Sequence, residues 1–416
     1  MKPLPFNPAL YAVTDGVKNL EAAIKGGATL VQLRCKNLPA DEFISRAEEV
    51  KKITSRYKVP LIINDNLEVA LRVNAEGLHA GQSDITAREA RKMLGPRKIL
   101  GISVFNKKEA LEAQAAGADY LGAGAVFPTP SKGDAQNISM GVLKEICSTV
   151  KIPVVAIGGI NANNIARLEG AGLSGIAVIS SLFGTKDVYT AAKELRFEIM
   201  KVISDCIIFD FDGTLIDSMP VWKNLAKDYL AGKNITPGPV LYEELEYLTL
   251  PEAALHLKNK YPLADGAEEI EKELSHLLTE GYKKYSLFKP GARELLEKLQ
   301  SQNKKMVIAT GALKEPVTAV LKRLKAREFF TNIITTRDAG ASKDSPAVFL
   351  AALKAAGGVK EKSILAEDNL TALQTAKKAG FYAVGVYDSN VNDVNDDKQQ
   401  MLESADFYLN SLEEWK

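Results

Sequence analysis

Eight short apolar runs, spaced almost evenly through the first 180 or so residues, constrain the fold of this chain more than any other feature. They are Leu10–Thr14, Leu30–Leu33, Pro60–Ile63, Gly77–His79, Ile99–Ile102, Tyr120–Ala123, Val154–Ile157 and Gly175–Ile179. Between them lie segments of helical periodicity such as Asp41–Tyr57 and Lys107–Ala116. Runs this short and this apolar read as strands buried on both faces, and helical connections make consecutive strands parallel. Eight such units predict a (β/α)8 TIM barrel. A doubly wound sheet is the alternative, and the even spacing favours the barrel.

A barrel of this kind carries its chemistry at the C-terminal ends of its strands, and polar residues cluster at those positions. After the second strand, Gln32, Arg34 and Lys36 alternate, so an extended chain aims all three one way. Two cations and an amide suit a pyrophosphate; a solvated edge is the other reading. After the third strand comes Asn64-Asp65-Asn66, and after the fourth His79-Ala80-Gly81-Gln82-Ser83-Asp84. Asp65 and Asp84 can share a Mg2+, although each alone also fits a helix N-cap. His79, taken alone, fits a satisfied core histidine. The fifth strand ends at Ser103. The loop 125–138 is long for a compact barrel and carries Phe127-Pro128-Thr129-Pro130-Ser131-Lys132-Gly133. Thr129, Ser131 and Lys132 offer donors to an anion. The seventh strand runs into Gly158-Gly159-Ile160-Asn161 and the eighth into Val178-Ile179-Ser180-Ser181, where barrels of this type bind phosphate on backbone N–H groups.

In order and spacing, LYAVTD, QLRxK, IIND, GLHxGQxD, GIS, FPTPSK, AIGGI and AVISS resemble thiamine phosphate synthase over nearly the whole first half. The resemblance implies that 4-amino-5-hydroxymethyl-2-methylpyrimidine diphosphate is joined to 4-methyl-5-(2-hydroxyethyl)thiazole phosphate with release of pyrophosphate. It implies that Gln32, Arg34, Asn64, Ser103 and Lys132 hold the pyrimidine or its diphosphate, with Lys36 and His79 in the same substrate-binding set. Asp65 and Asp84 are implied Mg2+ ligands. Gly159, Ile179 and Ser180 are implied to grip the thiazole phosphate, with Thr129 and Ser131 nearby. Two departures are mild: Glu76 stands where an Asp is common, and Ser131 replaces a Thr. Thiazole tautomerases share this barrel but usually lose the diphosphate-binding set, which is intact here.

Almost midway along the chain, Ile207-Ile208-Phe209-Asp210-Phe211-Asp212-Gly213-Thr214-Leu215-Ile216-Asp217-Ser218 delivers two carboxylates from an apolar strand into a glycine turn. On a regular strand Asp210 and Asp212 share a face unless the chain bends. Like charges so close call for a cation; an acidic turn is the blander alternative. The pattern DxDGTLxDS resembles motif one of the haloacid dehalogenase-like phosphohydrolases. That resemblance implies Asp210 as a nucleophile forming an aspartyl-phosphate and Asp212 as general acid, then base. It carries over to Thr310 after the strand Met306–Ala309, holding the phosphoryl group, and to Lys343 in Ser342-Lys343-Asp344-Ser345-Pro346, neutralising it. It also carries over to Glu367-Asp368 after Ile364–Ala366. Asp210, Asp212 and Asp368 are the implied Mg2+ ligands, with Glu367 beside the metal. The implied fold is a Rossmann-like domain with a helical cap at about 219–288, whose helical stretches are Val221–Ala231, Val240–Tyr247 and Ala267–Leu287. Trp222, Tyr242, Tyr247 and His256 are cap residues that either face a substrate or pack. Asp388–Asp397 reads as a surface loop, followed by a strand at Phe407–Leu409.

Two α/β domains are therefore expected, 1–201 and 202–416, with one Mg2+ in each. With 53 basic and 52 acidic residues the net charge is +1, which speaks against a nucleic-acid or membrane surface. Cys35, Cys147 and Cys206 are too few and too scattered for a disulfide framework, and no signal-like segment opens the sequence. A cytoplasmic enzyme with small-molecule partners is expected, and homo-oligomers are compatible with it. Fusion in one chain suggests that the second half dephosphorylates the first half's product, thiamine monophosphate. Other small phosphates, a phosphoglucomutase-like transfer, or a non-catalytic regulatory half are the alternatives.

Overall fold

The structure, a computed structural model, describes residues 6–415 apart from 37, 83, 130–136, 246–247 and 393–396. The chain divides into two compact units, Met1–Ile203 and Ser204–Lys416.

In the first unit eight strands close into a barrel in sequence order. They are β1 (Leu10–Thr14), β2 (Leu30–Leu33), β3 (Leu61–Asn64), β4 (Gly77–Ala80), β5 (Ile99–Val104), β6 (Tyr120–Ala123), β7 (Val154–Ile157) and β8 (Gly175–Val178). Every neighbouring pair is parallel, and β8 closes on β1 through Leu10↔Ile176 and Ala12↔Val178. Tyr11, Leu30, Ile62, Ile99, Tyr120, Val155 and Ala177, from seven strands, pack with Phe6 and Val13 as one core cluster. Because side chains alternate along a strand, the residues two further on point the same way and one step nearer the C-terminal mouth. Those residues include Gln32 above Leu30, Asn64 above Ile62 and Ile179 above Ala177. Two steps above Ile99 stands Ser103. The packing of the barrel floor thus aims the polar set at the mouth.

Gly101 is what admits Tyr120 to that floor. A Cβ built on Gly101 would lie 2.1 Å from the Tyr120 ring, and Tyr120 is fully buried. No shift of a flexible chain end can relieve this contact.

The second unit is built on a six-stranded parallel sheet. Its strands are β9 (Cys206–Phe209), β12 (Lys305–Thr310), β13 (Phe330–Thr335), β14 (Ser363–Glu367), β15 (Tyr382–Val386) and β16 (Phe407–Leu409), in the order β13-β12-β9-β14-β15-β16. The helix Ala347–Ala356 packs Val348, Phe349 and Ala352 against Cys206, Ile208, Val307 and Leu365. Between the first two sheet strands in sequence, β10 (Ile216–Asp217) pairs antiparallel with β11 (Leu287–Phe288). The chain leaves the sheet domain through β10 and returns through β11. The excursion holds four helices, Met219–Gly232, Leu241–Leu245, Leu250–Lys260 and Ala267–Tyr285, which form the cap.

One expectation is corrected. Of the stretch Asp388–Asp397, read as a surface loop, Asp388 and Asn392 are buried and Ser389–Asn392 is a short helix. Asp388 pairs with the Lys289 ammonium at 2.8 Å, and the Asn392 amide donates to the Asp368 carbonyl at 3.0 Å. Polar composition here reflects internal hydrogen bonding, not solvation. Residues 393–396 lie outside the described residues.

Replacing Gly101 with Ala is expected to destabilise the chain by about 3 kcal/mol, the upper range for overpacking a core. Urea denaturation measures this; a loss below the range seen for surface substitutions contradicts the packing described.

Candidate active sites

Local turns place the barrel's site residues. Asn66, not Asp65, caps the helix Leu67–Arg72 by accepting from the Val69 N–H, and Thr86, not Asp84, caps Ala87–Leu94. Both aspartates are thereby released from a capping role. Asp65 takes a left-handed backbone (φ 62°), and its carboxylate accepts from the Asn64 amide at 2.5 Å. Asp84 accepts from the Gly81 N–H at 2.7 Å. The Asp65 and Asp84 carboxyls meet. Much of Asp65 faces solvent, yet its carboxyl end is crowded by protein. That desolvation, together with Asp84, pushes it up to about 6, against the Asn64 hydrogen bond and the Arg34 charge. Arg34, Asn64, Asp65 and Asp84 therefore form one group. A pair of carboxyls that resist joint ionisation fits a divalent cation.

Below this group runs a buried polar chain. The Gln32 amide donates to the Tyr11 hydroxyl at 2.8 Å, Tyr11 meets the Tyr120 hydroxyl at 2.8 Å, and Tyr120 meets His79 Nδ1 at 3.0 Å. His79 Nε2 then meets Ser103 Oγ at 2.9 Å. Since an amide NH2 only donates and each phenol has one proton, the directions propagate. Tyr11 donates to Tyr120, Tyr120 to Nδ1, and Nε2–H to Ser103. His79 is thus both a satisfied core residue and the support of Ser103. Burial drives both phenol pKa values upward, so both phenols are neutral.

A cavity of about 640 Å3 is lined by Arg34, Lys36, Ile179 and Ser180. Lys18 and Arg46 share it, and sequence reasoning missed both. Lys18 lies just past the first strand, where a signal existed, whereas Arg46 sits inside a helix and looked like surface charge. Gly159 has φ 66°, and a Cβ there would lie 2.4 Å from the Pro128 carbonyl oxygen. Its own carbonyl is held by Asn164 at 2.8 Å. Thr129 is half-buried in the loop that meets it. Ser131 and Lys132 lie outside the described residues.

In the second unit, register assembles the site. Phe209 of β9 pairs with Ile308 of β12 and with Ala366 of β14. Asp210 and Glu367 therefore leave adjacent strands side by side, and Thr310 ends the strand on the other side. Asp210 N–H donates to the Ala366 carbonyl at 2.9 Å, and the chain turns directly afterwards. Gly213 has φ 80°, and a Cβ there would strike the Asp368 carboxylate at 2.3 Å. The glycine lets the loop after Asp210 lie against Asp368. Thr214 donates to Asp368 at 2.7 Å, and the Lys289 ammonium donates to the Gly213 carbonyl at 2.7 Å.

Asp210, Glu367 and Asp368 are buried, and one oxygen from each lies within 4.8 Å of the others. Lys343 bridges Asp210 and Glu367, the latter at 2.8 Å. Burial opposes the ammonium, but the two carboxylates outweigh it and hold the Lys343 pKa above its usual value. Burial and the Asp210 charge push the Glu367 and Asp368 carboxyls upward. Three carboxyl groups that resist joint ionisation beside one ammonium make an oxygen-lined pocket, the donor set that Mg2+ takes. Asp212 is not one of the three. It turns toward the cap, where Ser218 donates to its Oδ1 at 2.6 Å, and burial pushes its carboxyl up to about 6. Thr310 Oγ1 accepts from the Ala312 N–H at 3.0 Å, which leaves its proton for a ligand.

Of the cap residues, Trp222 donates to Tyr282 at 2.7 Å, and His256 meets Glu244 at 3.1 Å in a pairing within the cap. Lys223 stands over the Tyr242 ring. Tyr247 lies outside the described residues. Sequence reasoning missed Tyr282, which also contacts Asp212; as one tyrosine in an amphipathic helix it gave no signal.

The family model of thiamine monophosphate synthase matches residues 10–182, and that of haloacid dehalogenase-like hydrolase matches 207–386. A thiamine-phosphate synthase of Clostridium tetani is 53% identical over 194 residues, which are 45% of this chain and 93% of that relative. A solved thiamine phosphate pyrophosphorylase from Pyrococcus furiosus is 41% identical with TM-score 0.44, covering 47% of this chain and 97% of its own. CbbY from Rhodobacter sphaeroides, solved in complex with phosphate, is 21% identical with TM-score 0.46, covering 51% of this chain and 96% of its own. Among the described residues, no helix is long and apolar enough to cross a membrane.

A divalent cation bound by Asp210, Glu367 and Asp368 stabilises the folded chain by mass action. At roughly a hundred times its Kd, Mg2+ should raise the melting temperature by about 5–10 °C. Asp368→Asn should shrink that shift without lowering the metal-free melting temperature, since it replaces a carboxyl that burial already disfavours as an anion. An undiminished shift in the variant excludes this site.

Proposed function

The chain belongs, through its first half, to the thiamine-phosphate synthase family, and we propose that it is a bifunctional enzyme. The barrel joins the pyrimidine diphosphate to the thiazole phosphate. The second unit then hydrolyses a small phosphomonoester, thiamine monophosphate in this reading. The observation that carries the second activity is the convergence of Asp210, Lys343, Glu367 and Asp368 at the C-terminal ends of the central sheet strands, where Thr310 also ends its strand. Its substrate is inferred from the fusion.

In the barrel, the carbon–oxygen bond to the diphosphate breaks and the electron pair leaves with the diphosphate. Arg34, Lys36 and Lys132 receive that growing negative charge, and Ser103 and Asn64 orient the pyrimidine. The thiazole nitrogen then attacks the cationic carbon. Gly159, Ile179 and Ser180 hold the thiazole phosphate. Catalysis here is stabilisation of a leaving anion.

In the second unit the Asp210 carboxylate attacks phosphorus while Asp212 gives its proton to the leaving ester oxygen. A carboxyl pushed up to about 6 retains a useful protonated fraction near neutral pH. Asp212, now ionised, takes a proton from the water that splits the aspartyl-phosphate. Lys343 and Thr310 hold the phosphoryl group. Asp65 and Asp84 in one unit, and Asp210, Glu367 and Asp368 in the other, would hold a Mg2+ ion, which would supply neutralisation of the phosphoryl oxygens.

A product assay with both barrel substrates and Mg2+ tests the reading. The parent chain is expected to yield thiamine. Asp210→Asn should accumulate thiamine monophosphate, with phosphate release down at least about 10³-fold. Arg34→Ala should slow condensation about 10²-fold and leave hydrolysis of added thiamine monophosphate intact. If the parent chain stops at the monophosphate, the substrate assignment is wrong.

A further inference from the structure

Asp212 is held from the cap as well as from its own loop. Its Oδ1 accepts from Ser218 at 2.6 Å and also from the phenol of Tyr282, seventy positions along the chain. The Tyr282 oxygen accepts in turn from the Trp222 indole N–H at 2.7 Å. Tyr282 comes from the last cap helix, Ala267–Tyr285, and Trp222 from the first, Met219–Gly232. The two rings meet edge to face with centroids 6.5 Å apart, and Phe211 lies 6.3 Å from Tyr282 on the sheet-domain side. Arg323, outside the cap, donates to the Tyr282 carbonyl at 3.2 Å and so ties the end of that helix down.

An indole N–H only donates, so the phenol oxygen is the acceptor from Trp222, and an ionised Asp212 carboxylate only accepts, so in that state the phenol proton points to Asp212. A phenylalanine would fill the same fully buried space. The hydroxyl therefore has an assignment that packing alone does not require.

We propose that Tyr282 is a positioning residue for the acid–base step, with Trp222 fixing its phenol. Both hydrogen bonds hold Oδ1, so Oδ2 is the oxygen that gives a proton to the leaving group and takes one from water. The Tyr282 bond forms only while the last cap helix is seated over the loop, which couples proton transfer to the cap. This inference rests on the phosphatase reading and on Asp212 as its acid and base.

Leaving-group dependence is the test. The full chain and its Tyr282→Phe variant, both with Mg2+, are compared on p-nitrophenyl phosphate and on glycerol phosphate. Nitrophenolate leaves without protonation, whereas an alkoxide does not. With glycerol phosphate the variant should lose roughly 10- to 100-fold in kcat with KM little changed. With p-nitrophenyl phosphate it should give a burst of about one nitrophenolate per chain followed by slow turnover, because breakdown of the aspartyl-phosphate still needs the base. Trp222→Phe should show the same pattern more weakly, and it carries the test if Tyr282→Phe does not fold. Equal losses on both substrates without a burst, or parent-like rates on both, overturn the proposal. A parent chain no more active than Asp210→Asn on either substrate overturns the phosphatase reading itself, and the proposal with it.

Discussion

The half-buried Lys343 reaches its ammonium between the buried carboxyls of Asp210 and Glu367, and much of the second unit follows from what is needed to keep it there. A buried cation is tolerated only when its partners are fixed and its hydrogen bonds are met. Register provides one partner from each of two adjacent strands, β9 and β14. A third carboxylate, Asp368, enters beside them because Gly213 leaves room for it. The same loop is gripped from behind by Lys289, itself paired with Asp388. Buried charge is costly in this fold, and its arrangement makes sense as a receptacle for a phosphoryl group and a cation.

The barrel solves a related problem with neutral groups. Gln32, Tyr11, Tyr120, His79 and Ser103 cross its interior as one chain of hydrogen bonds. Such a chain orients Ser103 and Gln32 with little dielectric cost, because no member needs to ionise. Charge is kept at the mouth, where Arg34, Lys36, Lys18 and Arg46 line one cavity. The division suits a reaction that departs from an anion and passes through a cation.

Most of the barrel was legible because parallel strands covered on both faces are apolar throughout, and helices between them are periodic. Strand ends such as Asn64 and Ser103 were therefore placed well. Motif spacing likewise pointed to Asp210, Lys343 and Asp368. What stayed hidden depends on tertiary contacts. The strand Phe330–Thr335 lies at the sheet edge and mixes buried and exposed residues, so its sequence has no clean period. Asp388 and Asn392 looked solvated because their partners, Lys289 and Asp368, are distant in sequence. Tyr282 was invisible for the same reason: its role exists only where three separated segments meet.

The central claim for the second unit is that Asp210 becomes covalently phosphorylated. An acyl phosphate is reduced by borohydride, whereas a free carboxylate is not. Turnover on a phosphomonoester, followed by acid quench, borohydride reduction and peptide mass spectrometry, reads the state of residue 210 directly. The account predicts homoserine at position 210 and none at 212. Phosphate release with Asp210 recovered unmodified under the same quench would contradict it.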